Sequence, residues 1–251
     1  MNLNSARVVL GAGLLATFLC VPAMARTAED PEIADLLIKL LKTGRSVISD
    51  NQALINDRSM GQKGFTPDAF VKETIARYKN KTTIDLNDVG RSPRSRLLEH
   101  LLQSGREVVQ DYQPVINKKG IAFKGVLPAV FARKTGKNFY EKTGIRLKLT
   151  SLDYRFRGNK PDRFEAEILK MFSDPDYPKG KDFLKYTKVE DQRVLRVMSP
   201  EYAKASCLTC HGTPKGERDI TGGRKEGWKA GDLGGAISVI MPIGKNRFKV
   251  R

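Results

Sequence analysis

Two stretches of this chain, 36–86 and 97–147, match without a gap at a fixed spacing of 61 residues. Leu36-Leu37 answers to Leu97-Leu98, Leu40-Leu41 to Leu101-Leu102, and Gly44-Arg45 to Gly105-Arg106. Ile55-Asn56 answers to Ile116-Asn117, Lys63-Gly64 to Lys124-Gly125, Pro67 to Pro128, Phe70 to Phe131, and Thr82 with Ile84 to Thr143 with Ile145. A match this long at one period implies duplication of a supersecondary unit. The unit reads as helix, loop, helix, strand. In the second copy Leu97, Leu98, Leu101, Leu102, Val108, Val109 and Ile116 recur at helical spacing. Gly105 interrupts that face, as Gly44 does in the first copy, leaving a notch for a crossing helix or a flat ligand. Pro128 opens the second helix and Thr143-Gly144 closes it. The linker between copies is 87–95.

The second constraint is Cys207-Leu208-Thr209-Cys210-His211. C-x-x-C-H is the attachment pattern of c-type haem. Two thiols add across the two vinyl groups of one porphyrin, and the next residue places an imidazole nitrogen on the iron. Positions i, i+3 and i+4 share a face of one helical turn, as this chemistry requires. A redox dithiol and half of a zinc site use the same spacing. A zinc site needs about four ligands, and the chain holds one further histidine, His100, and one further cysteine, Cys20. A thioredoxin-like dithiol usually opens a long helix, whereas Gly212 and Pro214 follow here at once.

Covalent haem attachment takes place after export, and residues 1–25 read as a signal peptide. Arg7 supplies a positive start, Val8 to Val21 is an apolar run short for a membrane span, and Ala23-Met24-Ala25 is a cleavage site. Cleavage after Ala25 gives a periplasmic protein and removes Cys20, leaving no cysteines for a structural disulfide. An uncleaved anchor and lipidation at Cys20 are the competing readings. The formal charge of +17 would suit nucleic acid inside a cell. An exported protein has no access to nucleic acid, so the charge is expected to serve an acidic redox partner, an anionic membrane surface or the haem propionates.

Beyond the second copy, 145–150 reads as a strand, and 154–156 extends it or starts another. Asn159 to Asp162 turns into a helix with Phe164, Ile168, Leu169 and Phe172 on one face. Strands over 183–189 and 193–198 flank a hairpin at 190–192. Pro200 ends the second of them, a short helix from Glu201 carries the C-x-x-C-H motif, and a last strand covers 236–243. Strands in mostly antiparallel order with helices between them indicate an α+β domain.

Four segments together carry a resemblance: Asp162-Arg163-Phe164-Glu165, Arg196-Val197-Met198-Ser199-Pro200, Ser206 to Gly212, and Lys225 to Val239. Over roughly 95–251, and more loosely over the first copy, the chain resembles a family of exported single-haem c-type proteins with a PAS-like fold. Members occur alone or as the sensing part of membrane histidine kinases and chemoreceptors. The resemblance implies a PAS-like antiparallel sheet, with haem held against it by the C-x-x-C-H turn. The expected division is therefore a signal peptide over 1–25, a first helical copy over 26–90, and a haem c domain over 91–251 that includes the second copy at 97–147. In this family the long helix before the sheet can supply the sixth iron ligand, and in one member a cysteine does so. Here no cysteine lies between residues 26 and 206.

Cys207 and Cys210 are thus the expected thioether sites for one haem, and His211 the expected proximal ligand. The distal position stays open between His100, Met198 and a vacant iron, with Met171 and Tyr112 as further candidates. His100 stands about 130° from the centre of its helix's apolar face at 3.6 residues per turn. A thioether would raise the reduction potential. Arg193, Arg196 and Lys204 could pair with propionates, and Trp228 could pack on the haem edge. No Ser-His-Asp set or phosphate loop is present. The expected function is electron transfer or redox sensing, not catalysis, with any signal leaving through a separate signalling protein. A sensor of diatomic gas at an open iron is the alternative. A weak peroxidase would need a distal His-Arg pair that cannot be placed. If the first copy is only an accessory, a chain lacking 27–90 should still attach haem.

Overall fold

The computed structural model describes residues 24–88, 90–244 and 248. Arg7, the apolar run and Cys20 of the expected signal peptide lie outside them. Seven α-helices and one four-stranded sheet make up the described residues. Helices α1 (Met24–Asp50), α2 (Gln52–Asn56) and α3 (Pro67–Thr82) hold the first copy. The second holds α4 (Pro93–Ile116), α5 (Pro128–Thr143) and strand β1 (Arg146–Thr150). Then follow α6 (Arg163–Phe172), β2 (Phe183–Val189), β3 (Gln192–Tyr202), α7 (Ala205–His211) and β4 (Leu233–Pro242). The sheet order is β1-β4-β3-β2, antiparallel throughout. This is an α+β fold, as expected, and the sheet is consistent with a PAS-like one.

Local chemistry sets the helix ends. Ser92 accepts the Ser95 N–H at 3.1 Å with Pro93 next to it, and Thr66 accepts the Ala69 N–H at 3.1 Å with Pro67 next to it. Side-chain oxygens thereby satisfy amides that lack a helical partner. Helix α5 stops at Gly144, whose φ of 74° favours glycine. Asp162 and Glu165 form a reciprocal capping box at the start of α6.

The sheet is covered on both faces. Leu147, Leu195, Val197, Ile237, Val239 and Met241 pack against α1, α4 and α5 in one continuous core. On the other face, Ile168, Leu169 and Phe172 of α6 cover Met198 and Ala236. Gly136 of α5 lies flat on β1, where a Cβ would stand 2.3 Å from the Leu147 carbonyl oxygen. At the notches of Gly44 and Gly105 the nearest heavy atoms belong to aromatic side chains. Both face the rings of Phe70 and Phe131, whose centroids lie 5.3 Å apart.

The two copies interlock by reciprocal bonds at positions 61 apart. The Asn117 side-chain Oδ1 accepts the Lys63 N–H at 3.2 Å, and that of Asn56 accepts the Lys124 N–H at 2.9 Å. The Gln52 amide donates to the Val126 carbonyl at 2.7 Å, and the Gln113 amide to the Phe65 carbonyl at 2.9 Å. The Lys63 and Lys124 side chains are buried, and each ammonium donates to a backbone carbonyl of its own loop, Met60 and Lys118. The boundary drawn after residue 90 is crossed by these bonds. Leu36, Leu37 and Leu41 of the first copy share the core of β3 and β4.

Three local expectations need correction. Residues 84–86 form no strand after α3; Ile84 and Leu86 pack on the main core without a neighbouring strand to pair with. Residues 154–156 neither extend β1 nor start a strand, because Arg155 is drawn into an ion-pair network. Pro200 does not end β3, which runs to Tyr202. β2 begins opposite Met198, so at Pro200 the strand pairs only with β4 and needs no second row of donors. The hairpin itself is a two-residue turn at Glu190 and Asp191, with φ of 48° and 64°. Among the described residues no helix is long and apolar enough to cross a membrane.

Two outcomes follow. A chain lacking 27–90 should lose its cooperative thermal transition, because the sheet's helical cover goes with it; a retained sharp transition would contradict the shared core. Gly136→Ala should cost about 1–3 kcal/mol in urea unfolding, the range for forced overpacking, and an unchanged midpoint would show that α5 can lift off β1 freely.

Candidate functional site

Helix α7 lies where β3 ends and β4 begins. The Ala203 N–H donates to the Asp232 carbonyl and the Gly231 N–H to the Ala203 carbonyl, both at 2.8 Å. The loop after α7 thus leaves and returns at one point. The first copy reaches this place too. Glu201, near the end of β3, pairs with Lys42 at 3.0 Å and with Arg45, both from α1. Burial pushes the Glu201 carboxyl up, but the two cations outweigh it and hold it below its usual range.

Cys207, Cys210 and His211 are half-buried on the one turn, and no disulfide joins the two cysteines. Burial, with Asp219 adding to it, pushes the Cys210 thiol up. Residues 226–228 hold His211 in three ways. The Glu226 carboxylate meets its Nδ1 at 2.7 Å. The Trp228 ring stacks on its imidazole at 4.4 Å with 10° between planes. The N–H groups of Gly227 and Trp228 donate to its carbonyl at 3.0 and 2.9 Å, satisfying an oxygen that the helix end leaves open. With Nδ1 donating to the carboxylate, the neutral ring carries its lone pair on Nε2.

Arg155 holds this arrangement together from the loop after β1. Its Nε and Nη2 grip Glu226 as a fork at 2.6 and 2.7 Å. Nη1 pairs with Asp219, whose side chain is fully buried. Nη2 also donates to the carbonyls of Cys210 at 2.7 Å and Arg224 at 2.9 Å. One guanidinium therefore ties α7, the loop after it and the segment behind His211 together. Burial pushes both carboxylates up, but their hydrogen bonds prevail. Thr221 and Arg155 bring Asp219 down to about 2, and Arg155 and His211 hold Glu226 below its usual range.

The other expected residues lie elsewhere or have other contacts. Trp228 touches His211 itself. Arg196 is buried beneath α6, paired with Asp162 at 2.6 Å and lying over the Phe164 ring at 4.1 Å. Met198 is fully buried under α6, and Met171 packs at the edge of the same cluster. His100 is half-buried on α4, which packs against α1, α3 and α5. Tyr112 is partly buried on the same helix, with the Lys134 ammonium 4.7 Å from its ring centre. Lys204 is exposed just before α7. Among the described residues no cluster of three or more His, Cys, Asp or Glu side chains could hold a bare metal ion. Arg155 and Glu226 were not singled out from sequence. Glu226 lies within the segment Lys225 to Val239 that carries the resemblance; Arg155 had no signal.

The network also sets an acid limit. Depressed carboxylates stabilise the fold fully above their unfolded values, near 3.8 for Asp219, and that contribution is lost as pH falls toward about 2. Arg155→Ala should cost about 2–3 kcal/mol, since it strands the buried Asp219 and the partly buried Glu226 carboxylates, and should move the acid transition to higher pH. Fluorescence of Trp228 reads both; an unchanged acid midpoint would show that Arg155 does not hold the loop.

No curated protein matches the chain. A crystal structure described as that of the cyanobacterial heme-protein Tll0287 overlaps it with a TM-score of 0.40 and 20% identity, over 58% of this chain and 90% of that one. The model of the Tll0287-like family matches residues 31–242. That span runs from α1 through the α7 turn to the end of β4. The chain belongs to the Tll0287-like family.

Proposed function

We propose that this protein is an exported, periplasmic c-type haem protein, carrying one haem and serving one-electron transfer or redox sensing, with no catalytic residues of its own. The observation that carries the reading is the donor set on α7. Cys207 and Cys210 offer two free thiols one helical turn apart, and His211 has one ring nitrogen held by Glu226 and its other lone pair on Nε2. These residues fit the group. Cys207 and Cys210 would hold it by thioether bonds and His211 would be the proximal ligand. When bound, the group supplies a one-electron iron couple. The family's namesake is described as a heme-protein, which supports the same reading.

The chain's own residues do three things around that group. Arg155 and Glu226 fix the orientation of the imidazole. Trp228 covers one face of the ring and limits its rotation. The loop 212–231 turns Asp219 and Glu226 inward and presents four cations outward, with exposed Glu217 paired to half-buried Lys225. Asp219 and Glu226 are taken up by Arg155, whereas Lys215, Arg218, Arg224 and Lys229 are exposed. Exposed Lys204 joins them at the start of α7. This basic rim favours an acidic redox protein or a separate signalling protein as partner, attracted at long range. His100 and Met198 remain the candidates for the distal position.

Two measurements check this. Replacing Cys207 and Cys210 together by Ser should abolish haem retention under denaturing conditions, while haem surviving in the double variant would contradict thioether attachment. Carbon monoxide titration of the reduced protein should leave a six-coordinate spectrum unchanged; ready binding would instead favour gas sensing at an open iron.

A further inference from the structure

We infer that Glu226 is a positioning residue that lowers the reduction potential of this centre by making His211 a stronger electron donor. The inference deepens the haem reading above and rests on it.

A partly buried carboxylate facing a ring nitrogen loses some solvation, which something must offset. Here Arg155 does so with a two-bond fork, which also prevents Glu226 from turning away from His211. The contact is not needed to hold the loop in place. The Gly227 and Trp228 amides already bond the His211 carbonyl, and Arg155 separately bonds Asp219 and the Cys210 and Arg224 carbonyls. Glu226 therefore adds something the loop anchor does not require: a full negative charge 2.7 Å from Nδ1. A carboxylate on the outer nitrogen of a ligating histidine fixes its tautomer and raises its basicity. A more basic ligand stabilises the oxidised iron over the reduced one. With the group bound, its couple would take one electron from a donor protein and pass it to an acceptor protein, while the Nδ1 proton of His211 stays on the ring. Trp228, stacked on the same ring, keeps Nδ1 in line with the carboxylate.

The test is a redox titration of the holoprotein with Glu226→Gln and Glu226→Asp. Glu226→Gln keeps an acceptor but removes the charge, and should favour the reduced state about tenfold, a rise of about 59 mV for a one-electron couple. Glu226→Asp keeps the charge and should stay close to the wild type. A purely structural role would lower the melting temperature of both variants and leave the potential where it was; that result overturns the inference. If Glu226→Gln does not retain haem, proton NMR of the reduced, histidine-labelled wild type decides. The Nδ1 proton of His211 should be slow to exchange and shifted strongly downfield, and a weakly bonded signal overturns the inference. A wild type that binds no haem would overturn the haem reading itself, and this inference with it.

Discussion

Everything at the site depends on one guanidinium, that of Arg155. Its nitrogens reach one buried and one partly buried carboxylate and two backbone carbonyls, and these belong to three separate stretches of chain. A charge so placed is stable because each desolvated partner is matched by a bond of good geometry. The consequence is directional. Glu226 cannot relax away from Arg155, so it must face His211, and His211 must then present its other nitrogen to whatever lies beyond. A short helix of seven residues, Ala205–His211, would not by itself hold an imidazole in one orientation. The loop does so from behind.

The sheet and the duplicated helices supply the platform. β3 delivers α7 at its end, β4 receives the loop after it, and the segment after β1 brings in Arg155. The first copy contributes more than cover. Its α1 lies against β3 and β4 and holds Glu201, three residues before α7's N-cap, by Lys42 and Arg45. The reciprocal bonds of Asn56 with Lys124 and Asn117 with Lys63 give the helical layer a matched interlock, so α1 is held firmly where it meets the strand. Rigidity in this layer becomes positional precision at the turn.

Features confined to a few consecutive residues were readable directly. Cys207, Cys210 and His211 fall within one helical turn and were legible as a motif, and Pro128 and the turn from Asn159 to Asp162 marked helix starts. The α+β class followed from periodicity. What could not be read was the set of partners chosen by tertiary structure. Arg155 and Glu226 are 71 positions apart, and nothing local distinguishes Arg155 from other arginines in a basic chain. Arg196 looked like a propionate partner, but the capping box at Asp162 and Glu165 takes it up first. The notches at Gly44 and Gly105 were recognisable, but not the two phenylalanine rings that occupy them. Pro200 misled because its effect depends on whether a second strand lies alongside.

The proposal as a whole reduces to whether two sulfurs of one short turn become permanent bonds. The most direct measurement is the intact mass, under denaturing conditions, of the exported protein made alongside a c-type haem maturation system. The account predicts the processed polypeptide plus one haem. A mass equal to the bare polypeptide would contradict it.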